Sequence, residues 1–272
     1  MQTQIALLRI VDLHTAHQMT FARAPKISVI TVSFNAADTI ARTVQSVAAQ
    51  NYPDVQHVVI DGGSYDATVD VVLQHLRIGG IVVSEPDGGL YDAMNKGVLL
   101  SSGDIVAILN ADDYYANDTI LSDVVALWAK SGCDAVLADI AFFLPNRPNH
   151  IARHYKSDRF RPSLIGWGWM PAHPGMFLSR RVYDTVGLYD TSYRIAADFE
   201  FVARAFGKHR CSYEFTHEVA VFMRLGGIST ADFEAKMIIN REVLRACRTN
   251  DIYSNWLMLL SKYPIKAMEL IK

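Results

Sequence analysis

Asp112 and Asp113 close the apolar run "DIVAILNADD". Two adjacent carboxylates at the end of a strand suit Mg²⁺ or Mn²⁺, hard cations that take oxygen ligands. Such a site commonly uses one or two carboxylates and fills the rest of its shell with substrate phosphate oxygens. The plainer alternative is a helix-capping pair ahead of Tyr114. Asp61-Gly62-Gly63-Ser64 offers a carboxylate that can accept an N–H from a nucleobase, with glycines that let the backbone approach; it also reads as a simple turn capped by Ser64. Asp87-Gly88-Gly89 is a third acidic glycine turn, and the helix after it carries Asn95 and Lys96, the latter either facing a phosphate or solvated. His173 sits between prolines near Trp167 and Trp169, as part of a sugar-binding wall or as a structural histidine. Asp198 could serve as a general base if it lies in a cleft, and as a surface carboxylate otherwise. Glu200, two residues on, points from a different helix face.

The elements around these residues decide between such readings. "KISVITVSF" is a β-branched run that predicts a buried strand, and a helix follows from Asn35–Asp38 to Gln50 with Ile40, Val44 and Val47 on one face. "VQHVVI" predicts a second strand. A helix over 66–77 comes next, with Val69, Val72, Leu73 and Leu76 on its apolar face. "GIVVSE" and "DIVAILN" predict the third and fourth strands. Alternation with short connections implies a mostly parallel sheet with helices on both faces, and ligands bind such sheets at the carboxyl ends of the strands. Here those ends hold Ser33 and Asn35, Asp61, Asp87 and the Asp112–Asp113 pair. One polar, acidic edge therefore favours the binding readings over the capping ones.

Beyond this half, the pattern predicts a helix over 117–130, one or two strands in "CDAVLADIAFF" and a loop in "PNRPNH". An irregular "GWGWMPAHPG" segment, a strand in "GMFLSR", a helix over 195–206 and a strand in "EVAVFMRLGGIST" follow, then helices to the end. The 272 residues are 50% hydrophobic and 20% charged with a net charge of −2, so nothing in the charge balance points to nucleic acid. Three widely spaced cysteines give no metal motif and no disulfide framework, which fits a reducing cytoplasm. Residues 1–24 read as a loosely attached extension, with Met19 available as an alternative start. The stretch Trp256–Lys272 mixes apolar residues with Lys262, Lys266 and Lys272. It suits either a packed helical end or contact with the inner face of a membrane.

The segments "SVITVSFNAADTIARTVQSVAAQ", "VVIDGGSYDAT", "SEPDGGLYDAMNKGVLLSSGDIVAILNADD" and "YRIAADFEFVARAF" together resemble family 2 glycosyltransferases of the GT-A fold, in particular those that build bacterial surface polysaccharides such as colanic acid. The resemblance spans about residues 26–229. It implies a Rossmann-like, mostly parallel α/β sheet flanked by helices over 25–230. The nucleotide-sugar half would cover about 25–115 and a smaller acceptor-side half 116–230, with C-terminal helices over 231–272. By resemblance, Thr31, Ser33 and Asn35 hold the nucleotide and Asp61 contacts the base. Asp87 and Asn95 join the nucleotide-sugar site, Asp113 ligates the metal directly, and Asp112 lies nearer the ribose and diphosphate. Asp198 is the base that deprotonates the acceptor hydroxyl, and the loop 224–229 closes over the donor phosphates. The departures are Asn-Ala-Asp-Asp in place of a strict Asp-x-Asp, Pro174 where many relatives have glutamine, and Ala197 rather than an acid before Asp198.

The expected activity is therefore an inverting, Mg²⁺- or Mn²⁺-dependent transfer from a nucleotide sugar, UDP-linked, to a saccharide or polyprenyl-diphosphate-linked saccharide. A catalytically silent sugar-nucleotide-binding protein of the same fold is the alternative. A nicotinamide-dependent dehydrogenase is disfavoured, because the first strand runs into "SFNAAD" and not G-x-G-x-x-G.

Overall fold

The computed structural model describes residues 23–144, 147–225 and 233–261. The four expected strands form: β1 (Ile27–Ser33), β2 (Val55–Asp61), β3 (Ile81–Ser84) and β4 (Ile105–Ile108). All pair in parallel, in the order β3-β2-β1-β4. Helices α1 (Ile40–Ala48), α2 (Thr68–His75) and α3 (Leu90–Leu100) make the crossovers. The period-2 alternation of β1 sorts its side chains onto two faces. Ile30 and Val32 join Met94 and Val98 of α3 on one face. Ile27 and Val29 face the other, where Leu121, Val124 and Trp128 of α4 (Ile120–Ser131) pack. Ile40, Val44 and Val47 of α1 are buried as their spacing requires. On α2 the buried face is Thr68 and Val72, while Leu73 is 61% exposed, because this helix packs against α1 at the margin of the sheet.

Two short stretches depart from expectation. The residues after Asp113 are not helical: Tyr114–Tyr115 form a strand, β5, and the next helix starts only at Ile120. The capping explanation of Asp112–Asp113 falls with that. Of the segment read as a loop at 145–150, residues 147–150 belong to a strand, β7 (Arg147–Tyr155), antiparallel to β6 (Ala135–Leu144), and 145–146 lie outside the described residues. The long β6 pairs with β8 (Met176–Ser179) only over Ala135–Leu137, which leaves its outer half for β7 to fill. Among the described residues β7 pairs with β6 alone, an edge position in which a ladder tolerates Pro148.

The acceptor-side half continues the same sheet with antiparallel joins. Strand β8 inserts antiparallel between β4 and β6, and β9 (Tyr213–Arg224) runs parallel to β6 and antiparallel to β5. Helix α5 (Arg180–Val186), helix α6 (Ala197–Val202) with the π-helical turn Ala203–Lys208 after it, and α7 (Phe233–Thr249) cover it. "GWGWMPAHPG" is irregular as expected, with 3₁₀ turns at Pro162–Trp167 and His173–Gly175. The proposed extension up to residue 22, the part of the 224–229 loop from 226 onward, and residues 262–272 lie outside the described residues. Among the described residues no helix is long and apolar enough to cross a membrane.

Candidate functional site

The strand register builds one side of the site. Ser33, Asp61 and Ser84 are direct cross-strand partners at the ends of β1, β2 and β3. Asp61 is 1% exposed. Its carboxylate accepts the hydroxyls of Ser33 (3.1 Å), Ser84 (2.7 Å) and Ser64 (2.5 Å), and the backbone N–H groups of Gly63 (3.2 Å) and Ser64 (2.8 Å). Burial pushes its pKa up, but the hydrogen bonds from Ser64, Ser84 and Ser33 outweigh burial and hold it below the usual value. Asp87 lies over Gly62, where an added Cβ would meet its Oδ2 at 2.8 Å, and its Oδ1 accepts the Gly89 N–H (2.8 Å). The two acidic turns are thus packed on each other, which explains the glycine at 62.

Beside these turns opens a cleft of about 600 Å³. Four of the expected site residues line it together: Ser33, Asn35, Asp112 and Asp198. The others stand behind it. Thr31 is fully buried and hydrogen-bonded to His57 Nε2 (2.9 Å). Asn95 pairs in both directions with the backbone of Tyr189 (2.9 Å each) and so ties α3 to the acceptor-side half. Lys96 is held by Glu85 (2.9 Å) and Asp92 (3.7 Å).

Asp112 is half-buried in the cleft wall; burial raises its pKa and the Arg224 guanidinium opposes the rise. Asp113 is wholly buried beneath it, its backbone N–H bonded to the Asn110 carbonyl (3.0 Å) in a tight turn. Burial first, and then the neighbouring Asp112 charge, push Asp113 well above the ordinary carboxylate range. Asp113 Oδ1 and Asn110 Oδ1 are both buried acceptors without a hydrogen-bond partner. Asn110 Nδ2 donates to the other carboxylate oxygen, Asp113 Oδ2 (3.5 Å), and the two acceptor oxygens left without a donor, beside the Asp112 carboxylate, fit a divalent cation. No set of three His, Cys, Asp or Glu side chains gathers as a metal cage among the described residues, so phosphate oxygens and water would complete the shell.

Asp198 sits in the first turn of α6. Its Oδ1 accepts the Phe199 N–H (2.8 Å) and lies 3.4 Å from Tyr91 Oη, which also donates to the Ile195 carbonyl. Burial raises its pKa, while His173, the Phe199 N–H and the Tyr91 hydroxyl oppose the rise. A carboxylate with a raised pKa in a cleft is matched to taking a proton. Glu200 is buried in an ion pair with Arg204 (2.8 Å) and accepts from Asn250 (3.2 Å), a structural role. His173 lines the cleft and is hydrogen-bonded to Tyr189 Oη (2.9 Å), with burial lowering its pKa.

Several residues of the candidate site escape a reading of types and spacing. Phe34 lines the cleft at 59% exposure, its ring edge-on to Tyr65 at 6.0 Å; an apolar aromatic between two polar strand-end residues was the available signal. Arg194 adds a cation to the cleft. Glu242 of α7 accepts the successive backbone N–H groups of Arg194 (2.7 Å), Ile195 (3.0 Å) and Ala196 (2.8 Å), which fixes the turn that presents Asp198. Nothing local marks Glu242, since its partners lie 46 to 48 residues away.

The family model for glycosyl transferase family 2 matches residues 28–187. A glycosyltransferase of Mycobacterium tuberculosis without an assigned role is 36% identical over 199 residues, covering 67% of this chain and 69% of its own. A PGL/p-HBAD biosynthesis glycosyltransferase of the same species is 29% identical over 227 residues, 82% of this chain and 84% of its own. Staphylococcus aureus TarS 1–349 with UDP-GlcNAc superposes at a TM-score of 0.62 with 19% identity, over 80% of this chain and 66% of that one. The mannosyltransferase PcManGT of Pyrobaculum calidifontis, in complex with GDP-Man and Mn²⁺, superposes at 0.61 with 20% identity, over 82% and 63%. The chain spans 40% of the longer TarS structure. The chain belongs to glycosyl transferase family 2 and has the GT-A fold.

Proposed function

We propose that this family 2 glycosyltransferase transfers a hexosyl or N-acetylhexosaminyl group from a UDP-sugar, with inversion, to a saccharide or lipid-linked saccharide in polysaccharide assembly. The observation that carries the reading is a single cleft lined by Ser33, Asn35, Asp112 and Asp198. Donor-bound relatives of the same fold, TarS with UDP-GlcNAc and PcManGT with GDP-Man and Mn²⁺, support the substrate class.

In this reading Phe34 gives the base an apolar face, and Ser33 and Asn35 contact the nucleoside. Asp61 and Asp87 hold the turns that shape this end of the cleft, Asp61 reaching the base if its hydrogen bonds from Ser33 and Ser64 exchange. Thr31 and Asn95 support the same wall from behind. Asp113 and Asp112 would hold Mg²⁺ or Mn²⁺, which when bound offsets the charge of the departing diphosphate. Arg194 and Arg224 supply fixed positive charge beside the same phosphates. Asp198 accepts the proton of the acceptor hydroxyl as that oxygen attacks the anomeric carbon from the face opposite the nucleotide. An α-linked donor gives a β-linked product.

Peripheral membrane contact belongs to the same reading. Trp256, Leu257 and Leu260 are exposed on the helical turn 256–261, while Leu259 on the same turn is fully buried. Ser254 donates to the Gly166 carbonyl (2.6 Å), which brings exposed Trp167 and Tyr253 to the same region. The placement proposed is cytoplasmic, against the inner face of the membrane. Flotation with liposomes that is unchanged by removing 251–272 sinks the membrane contact alone.

The deciding experiment is a screen of UDP- and GDP-sugars with Mn²⁺, reading nucleoside diphosphate release and the anomeric configuration of the product. UDP release with inverted product is expected. Donor binding with no release for any acceptor would favour a silent binding protein; loss of neither activity nor binding in EDTA would remove the metal.

A further inference from the structure

His173 lines the same cleft as Asp198, and its ring is tied to a chain of hydroxyls behind it. Its Nε2 lies 2.9 Å from Tyr189 Oη, which lies 3.3 Å from Tyr183 Oη of α5. The partners on offer decide which oxygen donates. Tyr183 is 6% exposed, and among the described residues Tyr189 Oη is the one hydrogen-bond partner of its hydroxyl. The Tyr183 proton therefore points at Tyr189, because a buried O–H without an acceptor bears the full cost of desolvation. Tyr189 then accepts from Tyr183 and gives its own proton to the acceptor that is left, His173 Nε2. A ring nitrogen that accepts carries no hydrogen. Burial lowers the His173 pKa against the opposing Asp198 charge, so at pH 7 the ring is neutral and its hydrogen sits on Nδ1.

Nδ1 is the open side of the ring. It has no hydrogen-bond partner among the described residues, yet it is not sealed in the interior as the equally unpartnered His57 Nδ1 is. His173 thus offers the cleft a donor and no acceptor. The backbone holds that donor in place. Pro174 follows it in the 3₁₀ turn His173–Gly175, and a Cβ added at Gly175 would meet the Ala138 carbonyl at 2.5 Å, so the turn lies hard against β6. Behind the ring, Tyr189 stands edge-on at 5.6 Å, its backbone clamped by Asn95. Asp198 supplies the complementary group. The two side chains lie within electrostatic reach of each other, and no hydrogen bond joins them. An N–H donor and a carboxylate separated by a gap match two neighbouring hydroxyl groups of one sugar: one gives its proton to the carboxylate, and the oxygen of the other accepts the N–H.

We propose that His173 determines which saccharide is accepted: its Nδ1–H donates to the hydroxyl oxygen next to the hydroxyl that Asp198 deprotonates. The same tautomer excludes His173 as a rival base, because the nitrogen open to the cleft already holds a proton. The proposal rests on the glycosyl-transfer reading for the role of Asp198, while the tautomer is measurable with no substrate present.

The test has two arms, both on the full chain. The first records proton–nitrogen NMR spectra of histidine-labelled protein, with the His173 signals identified by their loss in His173→Asn. The native ring should carry its hydrogen on Nδ1 at pH 7, and Tyr189→Phe should weaken that preference. Hydrogen on Nε2 in the native protein, or a ring indifferent to Tyr189→Phe, would overturn the assignment. The second arm takes the UDP- or GDP-sugar turned over fastest with Mn²⁺ and compares water with a panel of methyl hexopyranosides as acceptors. Water has no second hydroxyl. In His173→Gln, which can still accept from Tyr189 but has no donor at the Nδ1 position, the ratio of glycoside transfer to donor hydrolysis should fall about tenfold. His173→Asn, whose amide nitrogen sits where Nδ1 does, should recover most of that ratio. Removing the hydroxyl beside the glycosylated one should cost the native protein a similar factor and cost His173→Gln nothing further. The native measurement needs no variant, so it decides even if both substitutions prevent folding. An unchanged ratio in His173→Gln, or no penalty for the deoxyglycoside with the native protein, would overturn the proposal. If no nucleoside diphosphate is released to any acceptor, water included, the transfer reading falls and takes the acceptor role with it, while the spectra still decide whether His173 is a donor.

Discussion

The two halves of the cleft are built in different ways. On the nucleotide side, neighbouring parallel strands end in register, and Ser33, Asp61 and Ser84 meet because the strands pair. Hydrogen bonds there join adjacent strand ends and saturate Asp61. On the acceptor side, Asp198 stands in the first turn of a helix, α6, and not at a strand end. It is placed by Tyr91, 107 residues away, and by the Glu242 carboxylate gripping the turn before it. One half is a sheet edge decorated with polar residues; the other is an interlock between elements distant in the chain. The electrostatics differ in the same sense. Hydrogen bonds hold Asp61 ionised against burial, whereas burial wins at Asp198 and raises its pKa. The donor side is organised for stability and the acceptor side carries a carboxylate kept at a cost.

Asp198→Asn should break this contrast most strongly. The amide is nearly isosteric and cannot accept the proton, so kcat should fall by roughly 10²–10⁴ with UDP affinity unchanged. The fold should gain from the same change. A carboxyl whose folded pKa is raised contributes stability at pH below its unfolded value, and loses it as pH rises through the folded value. At pH 7 the buried charge is a burden, so the variant should melt at a higher temperature than the native protein. A lower melting temperature, or near-native turnover, would remove Asp198 from the role of base.

The second effect in size concerns the interlock. Glu242→Ala leaves the N–H groups of Arg194, Ile195 and Ala196 without their acceptor. The turn carrying Asp198 should loosen, and a misplaced base costs rate more than binding. We expect kcat to drop about 10- to 100-fold, or about 1.4–2.7 kcal/mol, with the KM for donor within twofold. Glu242→Gln, which keeps one acceptor oxygen, should recover part of the loss. Equal effects on donor KM and kcat would mean that Glu242 supports the whole domain and not the base.

These differences also account for what the sequence made legible. The donor half follows from local rules: β-branched runs, glycine turns and short crossovers give β1 to β4, and the strand-end rule gathers Ser33, Asn35, Asp61 and Asp112. Those rules cannot tell which strand-end residues face the cleft. Thr31 points into the body of the protein, and Asn95 is spent on the backbone of Tyr189. In the acceptor half the residue types singled out Asp198, through a motif, and His173, both of which line the cleft, whereas Tyr91 of α3 and Glu242 act on Asp198 by tertiary contact that no local pattern marks. Strand β7 was hidden for a related reason. Its "PNRPNH" start has loop composition, and pairing with the long β6 overrides that local preference.

A smaller effect is expected from Asp61→Asn, the donor-side counterpart. The amide replaces one acceptor oxygen by an NH₂ group, which cannot receive the hydroxyl and N–H donors converging there. Loss of charge-assisted bonds at this buried position should cost about 1–3 kcal/mol. Since the folded pKa of Asp61 is lowered, its contribution is present above the unfolded carboxyl value and fades as pH falls through the folded value. The native protein and the variant should therefore differ in denaturant midpoint at pH 7 and converge in acid. Convergence at neutral pH and divergence in acid would reverse the assignment.

Tyr91→Phe should give the smallest change, visible chiefly in a pH profile. Tyr91 comes from α3 of the donor half and reaches Asp198 Oδ1 at 3.4 Å, so its hydroxyl spans both halves at the base. Its hydrogen bond favours the ionised carboxylate and opposes the effect of burial. Removing the hydroxyl should raise the pKa of Asp198 further. Turnover requires the ionised base, so the acidic limb of kcat/KM should move to higher pH, while the plateau rate above it stays near native because the phenyl ring keeps its packing against Tyr189. A lower plateau with the limb unmoved would mean that Tyr91 acts through the Ile195 carbonyl, as a brace for the turn like Glu242, and not through the charge on Asp198.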